Sequence, residues 1–418
     1  SRARSAGLFP TWSGDVSDAW LTIVGIGEDG LEGLSPAARA AIQGAELVFG
    51  GSRHLELAAE AISGATHAWL SPFSRSVEAI LAAKGHTVCV LASGDPFHYG
   101  VGATLSRQVD PAQMRVLPHP SSFSLAAARL GWPLQDVVSL SLHGRAEEHI
   151  LPFLHPAARI LALTSDQSGP ARLAALLTRA GFGRSIITVL EAMGGLRERV
   201  RSQMAEFFAL DDIDPLNICA VTVVPLPGAR ILPLTPGIDD DLFEHDGQIT
   251  KRDIRALTLA ALAPRRHEVL WDIGAGSGSV SVEWMLSDPS LRSIAIEART
   301  DRAAQITRNA KAFGVPELQV VEGFAPAALD GLAPPHAIFV GGGGSKDGVL
   351  AAAQAALRPS GRLVANAVTL EMEQMLLAFH AEHGGELTRI AVSRAAEVGN
   401  MTGWRPAMPV TQLRWTKP

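Results

Sequence analysis

The sequence predicts an α/β chain of two domains. Its 418 residues suffice for two or three domains of roughly 100–200 residues each. Short apolar runs typical of buried strands alternate with alanine-rich, helix-like stretches along the whole length. This is the pattern of βα units around mainly parallel sheets. A proline-rich stretch interrupts the pattern near the middle, and both halves on either side of it are of the α/β class.

The proline-rich stretch marks the predicted domain boundary. Four prolines fall within residues 225–236, and the acidic run Asp239–Asp241 follows them. Such composition is typical of a linker. We predict an N-terminal domain over 20–225, a linker over 226–237 and a C-terminal domain over 238–418. The halves share no short repeat, which indicates two different domains.

Composition and charge disfavour several classes of partner. The chain is 47% hydrophobic and 19% charged, with a net charge of −6. It therefore lacks a general attraction to nucleic acid or to anionic membranes. It has no apolar run of the ~18 residues that a membrane span needs, and Ser1–Trp20 contains no signal-peptide core. We expect a cytoplasmic protein with neither a nucleic-acid nor a membrane partner.

The cysteines and histidines do not indicate a metal site. Cys89 and Cys219 lie in apolar runs that resemble strands, which is typical of core residues. Neither the cysteines nor the thirteen histidines show the spacing of metal ligands. We expect no structural or catalytic metal.

A glycine-rich turn identifies a candidate cofactor site in the C-terminal half. Residues 268–284 (EVLWDIGAGSGSVSVEW) predict a buried strand, a turn with three glycines and a helix from about Ser279. Glycines allow backbone to approach a ligand closely, and the helix N-terminus offers free N–H groups. A tight turn without a ligand is the alternative interpretation of this motif.

An acidic residue at the right distance strengthens the cofactor interpretation. The next apolar run ends at Glu297, close to the ~20-residue offset of a ribose-binding acid in Rossmann-like folds. The turn reads D-x-G-x-G-x-G from Asp272 to Gly278, which differs from the dinucleotide pattern G-x-G-x-x-G and favours S-adenosylmethionine. Later apolar runs follow in the order of a seven-stranded methyltransferase sheet.

The C-terminal half resembles the C-terminal part of the precorrin-6Y C5,15-methyltransferase (decarboxylating) family. The resemblance is carried by EHDGQITKRDIRAL (244–257), WDIGAGSGSVSVE and GRLVANAVTLE. It implies a Rossmann-like methyltransferase domain in which Thr250 helps to enclose S-adenosylmethionine. The residues that it implies at the cofactor are Gly274, Ala275, Gly276, Ser277, Gly278, Glu297 and Ala325.

The N-terminal half begins with a different glycine motif. LTIVGIGEDG (21–30) contains G-x-G-x-x-G, but the next helix is predicted only at Ser35-Pro36, as N-cap and first helical residue. A helix that begins so late does not direct its N-terminus at a phosphate held by these glycines. The late start of this helix therefore disfavours a nicotinamide site, despite the glycine pattern.

Four further segments resemble the tetrapyrrole methyltransferase family, in its precorrin C5-methylating branch. They are VCVLASGDPFHYGVG (88–102), HPSSFSLAAARLGWP (119–133), SLHGR (141–145) and LTSDQSGP (163–170). The resemblance implies a two-lobed α/β domain with S-adenosylmethionine in the cleft between the lobes. The implied cofactor contacts are Gly94, Asp95, Ser121, Ser122, Phe123 and Thr164. A tight loop at Gly94 and Pro96 would leave the Asp95 carboxylate free for a ligand; an ordinary turn aspartate is the alternative.

Together the two resemblances imply a bifunctional enzyme of cobalamin biosynthesis. The N-terminal domain would methylate carbon 5 of precorrin-6B. The C-terminal domain would methylate carbon 15 and decarboxylate the ring C acetate, giving precorrin-8. A homo-oligomer is implied by the same analogy. Methyl transfer is an in-line displacement that requires alignment and no activated nucleophile, and the sequence singles out no catalytic acid or base.

A substrate rich in carboxylates predicts cations near the sites. The substrate-binding candidates are Arg145, Lys251 and Arg252, and further candidates are Arg53, His98, His143 and Lys346.

Two other functions stay open. One is a methyltransferase acting on RNA or DNA, because fold does not fix substrate, and the other is a tetrapyrrole or cofactor sensor without turnover.

Overall fold

The computed structural model describes residues 19–418, which form two compact units. Unit 1 contains residues 19–145 and 155–229, and unit 2 contains residues 146–154 and 230–418. Ser1–Trp20 is the segment in which we predict no signal-peptide core, and its residues 1–18 lie outside the described residues. Both units are α/β, as predicted.

Unit 1 contains two five-stranded sheets. In the first, the strand order is β3-β2-β4-β1-β5 and all pairs are parallel. In the second, the order is β6-β7-β10-β8-β9, and only β6 and β7 pair in parallel. The strands are β1 (Leu21–Ile26), β2 (Leu47–Gly50), β3 (Ala65–Ala68), β4 (Val88–Ser93), β5 (Met114–Leu117), β6 (Val138–Ser141), β7 (Arg159–Leu163), β8 (Ile186–Glu191), β9 (Arg199–Met204) and β10 (Asn217–Thr222).

Helices connect and cover these strands. The first of them begins as predicted, because Ser35 is its N-cap, accepts a hydrogen bond from the Ala38 amide at 3.2 Å and is followed by a proline. The helices of unit 1 are α1 (Pro36–Gln43), α2 (Ser52–Leu57), α3 (Ser74–Ala82), α4 (Val101–Leu105), α5 (Ser122–Leu130) and α6 (Gly169–Arg179).

Unit 2 is built on the predicted seven-stranded sheet, in the order β13-β12-β11-β14-β15-β19-β16. The pairs from β13 to β15 are parallel, and β19 runs antiparallel to both of its neighbours. A separate hairpin is formed by β17 and β18. The strands are β11 (Val269–Ile273), β12 (Arg292–Glu297), β13 (Gln319–Glu322), β14 (Ala337–Val340), β15 (Arg362–Ala367), β16 (Glu386–Ile390), β17 (Ser393–Val398), β18 (Met401–Pro406) and β19 (Val410–Thr416).

The central strands of unit 2 are buried on both faces. Leu270 belongs to one hydrophobic cluster and its neighbours Trp271 and Ile273 to another, on the opposite face of the sheet. Parallel strands covered by helices on both sides read as continuous apolar runs, which explains the EVLWDI segment. The helices are α7 (Arg252–Leu262), α8 (Ser279–Leu286), α9 (Thr300–Ala312), α10 (Val349–Ala356) and α11 (Leu370–His383). Among residues 19–418 no helix is long and apolar enough to cross a membrane.

Candidate functional sites

A cavity of about 150 Å³ in unit 2 lies at the carboxyl ends of four neighbouring parallel strands. Open parallel sheets bind ligands at this edge. Three predicted cofactor residues, Gly274, Glu297 and Ala325, line the cavity. The other lining residues are Ile273, Ile296, Ala298, Arg302, Gly323, Phe324, Gly342, Gly343 and Lys346.

The glycine-rich turn contacts the loop after β14 through backbone atoms. Gly274 has φ +71°, and a Cβ atom placed there would lie 2.2 Å from the Gly342 carbonyl oxygen. Gly278 has φ +74°, and its Cβ would lie 2.7 Å from a methyl group of Ile306. These close approaches require glycine. The Gly341–Gly344 run therefore packs against the turn and is part of the same site.

Glu297 is held in place by backbone amides at the end of β12. Its side chain accepts hydrogen bonds from the Gly276 amide at 2.8 Å and from the Arg299 amide at 3.0 Å. The residue is 5% exposed and lines the cavity. A carboxylate fixed in this way presents its remaining acceptor capacity to a ligand, as a ribose-binding acid must.

Beneath the turn lie two buried polar atoms that have no hydrogen-bond partner among residues 19–418: Asp272 Oδ1 and Ser277 Oγ. The other Asp272 oxygen accepts hydrogen bonds from the Ser281 amide at 3.2 Å and hydroxyl at 2.8 Å. Burial raises the pKa of Asp272 to about 6; the Ser281 hydrogen bonds oppose this shift and the Glu297 charge adds to it. Unpaired buried polar atoms fit a polar ligand that would bond to them.

The remaining predicted residues of this site form its surroundings and do not line the cavity. Ala275, Gly276, Ser277 and Gly278 complete the turn, whereas the backbone carbonyl of the half-buried Thr250 accepts a hydrogen bond from Arg255. The segment before Thr250 does cross the turn, because a Cβ on Gly276 would lie 3.1 Å from the Gln248 carbonyl oxygen.

Arg302 and Phe324 are among the lining residues that sequence reasoning did not single out. Arg302 lies on α9, five residues beyond Glu297, and donates to Asp246 at 2.8 Å. Phe324 directly precedes the predicted Ala325, and the Lys346 ammonium lies 3.9 Å from the centre of its ring. The position of Phe324 beside Ala325 was the available signal; the position of Arg302 depends on how α9 packs.

Two adjacent cavities occupy unit 1, of about 60 and 240 Å³, with Ser93, Ser122 and Leu163 in both linings. Gly94 lines the first, and Ser121 and Phe123 line the second. The smaller cavity is also lined by Gly27 and Glu28 of the first glycine motif. Its other lining residues were not singled out from the sequence, apart from Arg53: Ile26, Pro120, Leu125, Leu190, Met193, Leu216, Asn217 and Ile218.

Two predicted N-terminal cofactor residues lie outside both linings. One carboxylate oxygen of Asp95 accepts a hydrogen bond from the Phe97 amide at 2.8 Å within its own loop, as in an ordinary Asx turn. Thr164 is buried and donates its hydroxyl to Asn217 at 2.6 Å, which fixes a residue of the smaller cavity. The positions of Asp95 and Thr164 therefore favour a role in stabilising the surrounding loops over direct contact with a cofactor.

The larger cavity of unit 1 is lined by rings. His98 stacks on Phe123 with centroids 4.4 Å apart and on Tyr99 at 5.3 Å. His54 Nε2 forms a hydrogen bond with Ser93 Oγ at 2.8 Å. Burial lowers the pKa of His54 to about 4, and the nearby Arg53 charge contributes to this shift. His54 is therefore neutral at physiological pH. Such a surface suits a flat conjugated ligand.

Three of the seven cations predicted to bind substrate pair with acidic residues. Lys251 lies 3.8 Å from Asp240 and Arg252 lies 2.6 Å from Asp239. The remaining candidates are placed as follows: Arg53 pairs with Glu28 and lines the smaller cavity of unit 1, His98 lines the larger one, His143 lies 3.4 Å from the Thr164 carbonyl, Arg145 is exposed, and Lys346 lines the cavity of unit 2.

Metal ligands and reactive thiols are not gathered in the described part of the chain. Within residues 19–418 no group of three or more His, Cys, Asp or Glu side chains could hold a metal ion. Cys89 and Cys219 are both buried in strands, and burial raises the pKa of each thiol, that of Cys89 to about 12.

Two protein-family models match this chain. The model of the Tetrapyrrole (Corrin/Porphyrin) Methylases matches residues 20–207, and that of the Precorrin methyltransferase domain matches residues 241–417. A precorrin-6Y C(5,15)-methyltransferase (decarboxylating) of Sinorhizobium sp is 61% identical over 398 residues, which are 95% of this chain and 96% of the relative.

Shorter relatives match less than half of the chain. A probable cobalt-precorrin-6B C(15)-methyltransferase (decarboxylating) of Pyrobaculum calidifontis is 36% identical over 42% of this chain and 93% of its own length. A cobalt-precorrin-7 C(5)-methyltransferase of Salmonella typhimurium is 30% identical over 43% of this chain and 88% of its own length. The 61% identity over 95% of the chain and the matches of both domain models show its family. The chain belongs to the precorrin-6Y C5,15-methyltransferase (decarboxylating) family of methyltransferases.

Proposed function

We propose that the protein transfers two methyl groups from S-adenosylmethionine to precorrin-6B, at carbons 5 and 15, and decarboxylates the ring C acetate to give precorrin-8. The observation that carries the proposal is a candidate cofactor cavity in each of two units, each lined mostly by residues of its own methyltransferase family match. The name of the 61% identical relative gives the same pair of positions and includes a decarboxylation.

We assign carbon 5 to the N-terminal domain, residues 20–225, and carbon 15 with the decarboxylation to the C-terminal domain, residues 238–418. Relatives named for one position alone align over 180 and 182 residues, about the length of one half. The segments of the N-terminal half that resemble a C5-methylating branch support the same division.

In the C-terminal site the residues fit S-adenosylmethionine. The Glu297 carboxylate would accept hydrogen bonds from ribose hydroxyls, and the unpaired Asp272 oxygen would face the polar end of the ligand. Gly274 and Gly342 keep the floor of the cavity free of side chains. When bound, S-adenosylmethionine supplies a methyl group by in-line displacement at its sulfonium, for which alignment and exclusion of water are the main contributions of the protein.

In the N-terminal site one end of the cofactor would bind in the smaller cavity, and the macrocycle would lie against the ring-lined cavity. Gly94 and Ser122 line the first, and Phe123 and Tyr99 line the second. The residues common to both linings would then lie where the methyl group passes from one ligand to the other. Trp69 and His98 extend the aromatic surface available to the macrocycle.

Decarboxylation at the C-terminal site breaks the bond between the acetate methylene and its carboxylate. The electron pair passes into the conjugated macrocycle, carbon dioxide leaves, and a proton is taken up in its place. Lys346 lines this cavity and has no acidic partner within 4 Å among residues 19–418. It would therefore bind a neighbouring carboxylate of the substrate.

The test is the product mass from precorrin-6B and isotopically labelled S-adenosylmethionine. The wild type is expected to add two labelled methyl groups and to lose one carbon dioxide. Glu297→Gln should suppress the C15 methyl and the decarboxylation, and Gly94→Val should suppress the C5 methyl. An unchanged substrate mass with the wild type, despite cofactor binding, would refute the substrate assignment.

We further propose a homo-oligomer and a cytoplasmic location. The β17–β18 hairpin exposes Met401 and Trp404, at 76% and 77%, and such surfaces often lie in subunit contacts. Light scattering of the purified protein measures the oligomeric state, and a monomeric mass at micromolar concentration would contradict this part of the proposal.

A further inference from the structure

We infer that the buried ion pair Arg255–Glu283 is a positioning device for the cofactor of the C-terminal site. It would act through the strap, residues 237–250, which it holds across the glycine-rich turn. Neither side chain lines the cavity. The inference rests on the proposed cofactor site of this domain and adds the residues that set its affinity from outside.

The pair is fully enclosed between α7 and α8. The side chains of Arg255 and Glu283 are 0% and 2% exposed, and Arg255 Nε donates to Glu283 Oε1 at 2.6 Å. Removing two charges from water carries a large desolvation penalty, and only good geometry with further hydrogen bonds offsets it. The remaining hydrogen bonds of the pair therefore show what it is built to hold.

Those remaining hydrogen bonds go to the strap. Glu283 accepts from the Gly237 amide at 2.7 Å and from the Ile238 amide at 3.0 Å. Arg255 donates to the Ile238 carbonyl, to Asp240 at 3.0 Å and to the Thr250 carbonyl. One ion pair thus binds the strap at both of its ends.

Between these ends the strap contacts the cofactor turn and the cavity. Asn309 donates both to the Glu244 carbonyl and to the Ser277 carbonyl, each at 2.9 Å, and so joins strap to turn. Asp246 accepts from the lining residue Arg302 at 2.8 Å. The Gln248 carbonyl lies where a Cβ on Gly276 would meet it at 3.1 Å. A displaced strap would therefore move both the turn and one wall of the cavity.

The decisive variant replaces the whole pair, Arg255→Met with Glu283→Leu. Replacing both members of a buried ion pair by apolar residues is often neutral or stabilising, whereas removal of one leaves an unpaired buried charge. The domain should stay folded while the strap loses its hydrogen bonds at both ends. Since displacements near 1 Å can cost about 100-fold in activity, we expect S-adenosylmethionine to bind this site roughly 10- to 100-fold more weakly.

A matched control exists in the same domain. Arg362 and Glu268 form another buried pair, at 2.6 Å, whose arginine donates to the Leu262 and Ala263 carbonyls. Neither residue lines the cavity, and the hydrogen bonds of their side chains within residues 19–418 go to residues outside the strap. The corresponding variant, Arg362→Met with Glu268→Leu, tests what loss of any buried pair does to this domain.

The experiment is equilibrium dialysis of the full-length protein against labelled S-adenosylmethionine, with calorimetry for folding. The wild type is expected to bind two equivalents. The Arg255/Glu283 variant should bind one of them 10- to 100-fold more weakly, and the control variant should bind both normally. Trypsin should also cleave faster at Lys251 and Arg252 in the first variant, with the unfolding midpoint retained.

Three outcomes would count against these ideas, and they are distinguishable. Wild-type protein that binds no equivalent, or one equivalent whose affinity Glu297→Gln leaves unchanged, would refute the proposed cofactor site itself. Normal binding of two equivalents by the folded Arg255/Glu283 variant would overturn the inference alone, and so would an equal loss in the control variant. If the double variant fails to fold, Arg255→Lys serves instead: it keeps the ion pair but lacks the donors for Ile238 and Thr250, so unchanged affinity there would also overturn the inference.

Discussion

The contact between Gly274 and the loop after β14 provides a quantitative test of the C-terminal site. Gly274→Ala would place its methyl carbon 2.2 Å from the Gly342 carbonyl oxygen and 2.6 Å from the carbonyl carbon. Both neighbours are backbone atoms, so no side-chain rotation relieves the clash. Either the turn or the Gly341–Gly344 run has to move.

The cost has two parts. The left-handed backbone conformation at φ +71° costs an alanine about 1–2 kcal/mol of folding free energy. The forced displacement of packed backbone adds about 1–3 kcal/mol, the usual cost of overpacking. We therefore expect Gly274→Ala to destabilise unit 2 by about 2–5 kcal/mol and to weaken its binding of S-adenosylmethionine.

Gly331→Ala is the matched control. Gly331 has φ +77°, but a Cβ there would have no heavy atom within 4 Å, so only the conformational cost of about 1–2 kcal/mol applies. For a domain of this size 1 kcal/mol moves the unfolding midpoint by about 2–4 °C. Calorimetry of the full chain should place the Gly274→Ala midpoint below that of Gly331→Ala, with cofactor affinity lost in the first variant only. Equal midpoints and equal affinities would refute the close packing of turn and loop.

Three other predictions follow from single residues. Glu297→Gln removes a charged acceptor from the cofactor cavity, so labelled S-adenosylmethionine should bind the C-terminal site roughly 10-fold more weakly or worse, while the N-terminal site serves as internal control; equal affinity would exclude Glu297 as a ligand contact. Because the pKa of Asp272 is raised to about 6, the folded protein binds more protons than the unfolded chain between pH ~4 and 6, and stability falls as pH rises through that window. Relative to Asp272→Asn, the wild-type unfolding free energy in urea should fall by about 2 kcal/mol between pH 4 and 7, and a pH-independent difference would contradict the buried carboxyl. Finally, Cys89 and Cys219 are buried with raised thiol pKa values, so iodoacetamide at pH 8 should leave the native protein unmodified and alkylate both after unfolding, as read by mass; rapid labelling of native protein would show that the strands open.

Local features of the fold were predictable from the sequence because they depend on neighbours along the chain. Ser35-Pro36 specifies a helix start, and the strand, glycine turn and helix around Gly274 occupy the predicted residues. The seven-stranded sheet of unit 2 was predictable from its apolar runs, since strands buried on both faces leave a continuous hydrophobic signal. Family membership was predictable too, because its motifs are contiguous segments.

The tertiary structure alone decided which side chains meet from distant parts of the chain. Gly274 contacts Gly342, Asn309 joins Glu244 to Ser277, and Arg255 binds both ends of the strap. No local pattern distinguishes Arg255 from an ordinary exposed helical arginine; its burial follows from the packing of α7 on α8. Likewise Lys251 and Arg252, which the sequence offers as free cations, lie beside Asp240 and Asp239. Local sequence thus determines elements and motifs, whereas partners and burial depend on the contacts between elements, which are set only when the whole domain packs.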